Sequence, residues 1–228
     1  MKKPVAAPAR RYDAEEKRRR VLDAVVATII DIGYYKASSN EIARRAGVTW
    51  GSIQHLFGSR EELMLDVVND IAANTERRFA EATVVGDTIE QRLASVMEVL
   101  ATHYEQDSYL VQMQILLELS SNSRLSPYGR RDLQRPNNQV FDDLAQPLIA
   151  KAIGAASRDQ DLVLYVFQTL RSYLSTVTIG RRISEMPEGT VVRLIGVSAD
   201  DARLRDFLVR GVAAVIREEV QRRGYSLD

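Results

Sequence analysis

Two short apolar-periodic segments joined by Ala46-Gly47-Val48 restrict this chain more than any other feature. In the stretch "EIARRAGVTWGSIQHLF" (Glu41 to Phe57), Ile42, Ala43 and Ala46 share one face of a short helix and Gly47 closes it. Thr49 caps the next helix, whose inner face is Ile53 and Phe57 with help from Leu56. Two short helices across a tight glycine-containing turn, packed on a longer first helix, make a helix-turn-helix. The second helix then leaves Trp50, Gly51, Ser52, Gln54 and His55 facing outward. These groups suit a major groove. Gln pairs with adenine in bidentate fashion, and Ser or His bonds base edges or phosphate oxygens. Gly51, in the first turn, lets backbone approach backbone beside amides that favour a phosphate.

The rest of the chain reads as helix as well. Leu22, Val25, Val26, Ile29 and Ile30 form one stripe of a helix over about 13–32, which Gly33 ends. Capping boxes are expected at Ser38 with Glu41, Ser59 with Glu62, Asp87 with Glu90 and Ser157 with Gln160, and a weaker one at Ser198 with Asp201. Helices are therefore expected over about 13–32, 39–46, 50–56, 60–83, 88–106, 108–121, 128–153, 158–184 and 199–223, with a kink at Pro147. "TVVRLIGV" (Thr190 to Val197) is β-branched, but no partner strand is in sight. The fold class is all-α.

Composition excludes several chemistries. With no cysteine, disulfides and thiolate metal sites are ruled out, as expected in a reducing cytoplasm. His55 and His103 are the only histidines, too few for a histidine metal cluster, and no cofactor is implied. No Ser-His-acid set and no phosphate-cradling glycine loop suggests an enzyme. No apolar run approaches the roughly 18–20 residues of a membrane span. The formal net charge is zero, yet residues 1–60 hold 12 Lys/Arg against 6 Asp/Glu and residues 61–228 hold 19 against 25. Such asymmetry is expected when one end of a chain meets a polyanion. Lys2, Lys3, Arg10 and Arg11 of the arm, with Lys17 and Arg18 of the first helix, are candidate phosphate-positioning charges.

The N-terminal pattern resembles the tetracycline-repressor-type (TetR) family over about residues 15–65. The resemblance rests on Gly33-Tyr34, Ser38, "EIARRAGVTWGSI" (Glu41 to Ile53), His55, Phe57 and "SREEL" (Ser59 to Leu63). Ala37 stands where the family usually has Thr, Gln54 where it has Tyr, Leu56 where it has a second aromatic, and Arg60 where it has Lys. The resemblance implies DNA-facing roles for Ser38, Asn40, Thr49, Trp50, Gly51, Ser52, Gln54 and His55, with Arg60 near a phosphate. It also implies a flexible basic arm (1–12), a three-helix helix-turn-helix DNA-binding domain (13–58) and a C-terminal helical bundle for effector binding and dimerisation (59–228).

In that bundle the last two helices offer dimer candidates: Leu170, Tyr173, Leu174 and Val177 from one, and Leu204, Phe207, Leu208, Gly211, Val212 and Val215 from the other. Candidate pocket residues are Met97, Leu100, His103, Tyr104, Met113, Leu117, Tyr128, Phe141, Phe167 and Arg171, which mix apolar walls with polar tips. The expected protein is a cytoplasmic homodimeric transcription regulator. It would act as a repressor released from a palindromic operator in double-stranded DNA by a small, largely apolar ligand. The alternative is a ligand-independent DNA-binding or adaptor dimer. A small molecule that raises the melting temperature separates the two.

Overall fold

A computed structural model describes residues 8–121, 146–184 and 201–224, with side chains from Asp13 onward at the N-terminal end. In chain order the helices are α1 (Pro8–Ile32), α2 (Ser39–Ala46), α3 (Trp50–Phe57), α4 (Arg60–Glu81), α5 (Ile89–Tyr104), α6 (Asp107–Ser121), α7 (Gln146–Ile153), α8 (Gln160–Ser184) and α9 (Asp201–Arg223). A 3-10 turn at Gly154–Arg158 precedes α8. The fold is all-α, with no strand among the described residues. Thr190 to Val197, Ser198 and the expected helix start near residue 128 lie outside them.

Several boundaries differ from expectation, each for a local reason. α1 starts at Pro8, a residue suited to a first helical position because its missing amide would be unbonded there anyway. Arg10 and Arg11 therefore belong to a helix instead of an arm. The box at Ser59 forms as expected: Glu62 N–H donates to Ser59 Oγ at 3.1 Å, and Ser59 N–H to Glu62 Oε2 at 2.8 Å. At α5 the register moves one residue on, and Thr88 with Gln91 makes the box that was expected of Asp87 with Glu90. At α8 the cap is Asp159, not Ser157, because Asp159 Oδ1 accepts from the amides of Asp161 and Leu162. Pro147 lies in the first turn of α7, where it interrupts no hydrogen bond of the described helix.

The described chain forms two compact units: residues 8–72 with 110–121, and residues 73–109 with 146–184 and 201–224. α4 and α6 each contribute to both. The first unit is built on Val21, Leu22, Val25 and Ile29 of α1, Ile42, Ala43 and Ala46 of α2, and Ile53 and Phe57 of α3. Leu63, Met64, Val67 and Val68 of α4 and Val111, Ile115 and Leu119 of α6 complete that core. In the second unit α5 packs on α7, α8 and α9. Its core includes Leu93, Val96 and Leu100, Leu148 and Ile149, Val163, Val166 and Leu170, and Val212 and Ile216. Ion pairs tie α9 to its neighbours: Arg205 with Glu105, Arg217 with Glu90, and Arg223 with Asp159 at 2.8 Å.

Two glycines set the ends of the short helices. Gly47 has φ 65° and ψ 36°, and its amide donates to the carbonyls of Ala43 and Arg44. Gly58, after α3, has φ 89° and ψ −94°, and a Cβ there would lie 2.1 Å from Glu62 Oε2. Around Gly47 the same virtual atom meets nothing within 4 Å. Gly47→Ala is expected to cost about 1–2 kcal/mol, the left-handed penalty alone. Gly58→Ala costs more, because the Ser59–Glu62 box must also shift; denaturant unfolding of the two variants measures the difference.

Candidate nucleic-acid interface

The first helix-turn-helix segment is fixed by its cap and its charges. Ser38 Oγ accepts the Glu41 amide at 3.2 Å, which satisfies one of the unbonded donors that open α2. The Glu41 side chain does not return to Ser38. It binds Arg44 and Arg45 instead, and Arg45 reaches Asp31 at 2.6 Å. Hydrogen bonds from Arg44 and then Arg45 hold the Glu41 carboxyl down at about 2. Asn40 and Ser38 are exposed beside this network.

α3 is capped by Thr49, whose Oγ1 accepts the Ser52 amide at 3.2 Å and lies 3.0 Å from Ser52 Oγ. Ile53 and Phe57 are buried at 0% and 7% exposure, so the helical period turns residues 54 and 55 outward. Gln54, His55 and Gly51 are exposed. Trp50 is half-buried and packs on the core, so its indole supports the domain as well as edging its surface. An open groove of about 530 Å³ runs between α1 and α3, lined by Asp13, Ala14, Lys17, Thr49, Gly51, Ser52, His55 and Leu56. Asp13 and Ala14 were not singled out from sequence, although they share the helical stripe of Lys17.

The remaining basic candidates divide. Lys17 edges the groove and makes no ion pair among the described residues. Arg18 is engaged internally, with Asp66 at 2.7 Å and the Phe57 ring centre at 4.6 Å. Arg60 bonds the Tyr34 hydroxyl at 2.9 Å and the Ala37 carbonyl at 3.3 Å. Lys2 and Lys3 lie outside the described residues, as do the side chains of Arg10 and Arg11.

In the C-terminal unit, His103, Tyr104 and Tyr109 pack edge to face, with ring centres 4.8, 5.5 and 5.0 Å apart. His103 Nδ1 lies 2.8 Å from Thr75 Oγ1, and the Tyr109 hydroxyl 2.9 Å from Ser175 Oγ. Burial pushes the Tyr104 phenol up to about 12, opposed by the charge of the nearby Arg171 guanidinium. Met97, Leu100 and Phe167 are buried in the same unit. Met113 and Leu117 belong to the N-terminal unit, with Leu117 exposed; Tyr128 and Phe141 lie outside the described residues. Among the dimer candidates, Leu170, Leu174, Val177 and Val212 are corrected to intramolecular core, since all four are buried within the chain. Leu204, Phe207, Gly211 and Val215 are exposed along one stripe of α9, and Tyr173 and Leu208 are half-buried. Tyr165 of α8, a dimer candidate from sequence as well, is exposed too, as are Leu164 and Ile179, which periodicity does not distinguish from core.

A capped α2, a tight turn and a short α3 with polar groups outward define a helix-turn-helix unit. Residues 21–67 match the model of the bacterial regulatory proteins of the tetR family. The chain is 37% identical over 136 residues to the HTH-type transcriptional regulator BetI of Cronobacter sakazakii, covering 57% of this chain and 64% of that protein. A TetR-family transcriptional regulator from Rhodococcus sp. superposes with a TM-score of 0.57 at 17% identity, over 88% of this chain and 98% of the other. The multidrug binding protein EbrR, complexed with imidazole, superposes with a TM-score of 0.51 at 14% identity, over 86% and 94%. Residues 21–67 are thus similar to the helix-turn-helix segment of TetR-family regulators, and the match spans less than two thirds of the length of the first curated relatives. No helix among the described residues is long and apolar enough to cross a membrane, and no group of three acidic, His or Cys side chains among them could hold a metal.

His103 gives the C-terminal unit a measurable acid signature. Burial, with the charges of Arg78 and Arg171, lowers its pKa to about 4 from the ordinary 6.5. The unfolded chain therefore binds a proton that the folded chain refuses between these values. Stability from this site is full above pH 6.5 and falls as pH drops towards 4. His103→Gln is expected to flatten that part of the profile, measured by denaturant unfolding at a series of pH values.

Proposed function

We propose that the protein is a homodimeric DNA-binding transcription regulator that inserts α3 into the major groove of a palindromic operator. The observation that carries this reading is the exposed pair Gln54 and His55, beside a groove edged by Lys17, Thr49, Gly51 and Ser52. Gln54 supplies a donor and an acceptor for an adenine edge, and His55 bonds a base or a phosphate. Thr49 and Ser52 offer hydroxyls, and Ser38 and Asn40 flank them on α2. The basic excess of residues 1–60 supplies the field that draws DNA to this face.

A single α3 spans a few base pairs, so reading a palindrome needs two copies held about 34–36 Å apart. The exposed stripe Leu204, Phe207, Gly211 and Val215 on α9, with Leu164, Tyr165 and Ile179 on α8, is the surface proposed to meet a second copy. Gly211 leaves open space where a side chain would stand, which favours close helix approach.

The regulator is proposed to be a repressor, released when a small, largely apolar ligand binds the C-terminal unit. Met97, Leu100 and Phe167 supply apolar surface there, and Tyr104 and Arg171 a polar end. Release requires tighter ligand binding in the DNA-free state, and by linkage DNA weakens the ligand by the same factor. The imidazole bound by EbrR is in keeping with a small-molecule site in such a fold.

Gel-shift with duplex DNA flanking the protein's own gene tests the reading. The Gln54→Ala, His55→Ala double variant is expected to lose sequence preference, with a weakening of about 1–3 kcal/mol for each base edge that goes unread. Sequence-independent binding by the unaltered protein would refute a base-reading α3. Phe207→Glu is expected to turn the dimer into a monomer, checked by sedimentation equilibrium; an unchanged dimer mass removes α9 from the interface.

A further inference from the structure

Arg60 holds the position at which the family resemblance asks for a phosphate-binding cation, yet its guanidinium is already committed. One Nη donates to the Tyr34 hydroxyl at 2.9 Å and the other to the Ala37 carbonyl at 3.3 Å. The guanidinium carbon also lies 4.7 Å from the centre of the Tyr34 ring. Tyr34 is 6% exposed, and its backbone amide donates to Gln114 Oε1 of α6 at 3.3 Å. Ala37 is the residue before Ser38, the cap of α2. Arg60 therefore ties the first residue of α4 to the turn that launches α2.

Arg18 does the equivalent on the other side of the recognition helix. It pairs with Asp66 of α4 at 2.7 Å and covers the ring of Phe57, the last residue of α3. Between them the two guanidiniums brace the start of α2 and the end of α3 from α1 and α4. Arg60 uses two donors of its planar fork together with its flat face, and Arg18 combines one ion-pair contact with its flat face over a ring, arrangements that an ammonium reproduces poorly. Turning either one toward a phosphate would break these interactions. Lys17 differs from both: it edges the groove beside Thr49, Ser52 and His55 and makes no ion pair among the described residues.

We propose that Arg18 and Arg60 are positioning residues of the DNA-reading helix, and that Lys17 carries the phosphate contact on this flank. This rests on the DNA-binding reading above. The two roles separate in the salt dependence of binding, because only a group that neutralises a phosphate adds to counterion release. The shape of the side chain separates them again: a phosphate contact tolerates Arg→Lys, whereas a fork stacked on a ring does not.

The test measures affinity for the gene-flanking duplex by fluorescence anisotropy over a range of salt, with melting temperatures of the DNA-free proteins. Arg60→Lys, Arg18→Lys and Tyr34→Phe are each expected to weaken specific binding, by roughly tenfold where charged hydrogen bonds are removed. The slope of log affinity against log salt stays unchanged, and the DNA-free melting temperature falls. Lys17→Ala reduces the slope by about 0.9 for each phosphate it no longer neutralises and leaves melting unchanged. Wild-type affinity in Arg60→Lys and Arg18→Lys, with a reduced slope in Arg60→Ala and Arg18→Ala, overturns the positioning role. So do unchanged melting temperatures in Arg60→Lys, Arg18→Lys and Tyr34→Phe. Failure of the unaltered protein to prefer any flanking duplex overturns the DNA-binding reading itself, and the positioning role with it.

Discussion

The burial of Ile53 and Phe57 fixes which side of α3 faces water, and the surface chemistry of the N-terminal unit follows from it. An eight-residue helix does not persist on its own, because nucleation costs more than so few hydrogen bonds return. α3 exists because Thr49 caps it, Gly58 lets the chain leave it, and two side chains on one face enter a core already occupied by α1, α2 and α4. Full burial of two such side chains supplies about 1.5–3 kcal/mol each. With both anchored, rotation of the helix would expose Ile53 and Phe57 and bury Gln54 and His55 together, so the outward direction of the polar pair is enforced by the apolar one.

Charge in the same unit acts on two scales. Arg19 pairs with Asp23 and Asp70, Arg45 with Asp31 and Glu41, and Arg44 with Glu41. As solvent-accessible pairs they add little to stability. Pairing fixes where a guanidinium sits but leaves the summed charge untouched. The excess of basic over acidic residues in 1–60 therefore sets the long-range field, while local pairs decide which cations remain able to touch a ligand.

The helices and the outward face of α3 were legible in the sequence because both depend on the 3.6-residue period. The caps were legible only to within a residue: Asp87/Glu90 and Thr88/Gln91 have the same spacing, and only the folded backbone chooses between them. Long-range commitments were not legible at all. Nothing near Arg60 in sequence points to Tyr34, and nothing near Arg18 points to Asp66. α9 shows the limit of periodicity itself. It carries one apolar stripe at Val209, Val212, Ile216 and Val220 and another at Leu204, Phe207, Gly211 and Val215. The period identifies both stripes, but only the packing of α5 and α8 decides which is inside.

The buried polar groups of the C-terminal unit bear on what the ligand proposed for it must offer. His103 with Thr75 and Tyr109 with Ser175 already satisfy one another. A ligand that offers no hydrogen bond leaves these pairs intact and gains from packing against apolar walls. A polar ligand must replace each bond it displaces with one of equal quality, because a buried group left unpaired costs about 1–3 kcal/mol. His103, held neutral by burial, also adds no positive charge to attract an anion at neutral pH. Arg171 is the exception, since its guanidinium bonds Gln168 at 2.9 Å and carries further donors beyond that one. For the ligand proposed above, this chemistry favours a hydrocarbon body with one group that accepts from the Arg171 guanidinium.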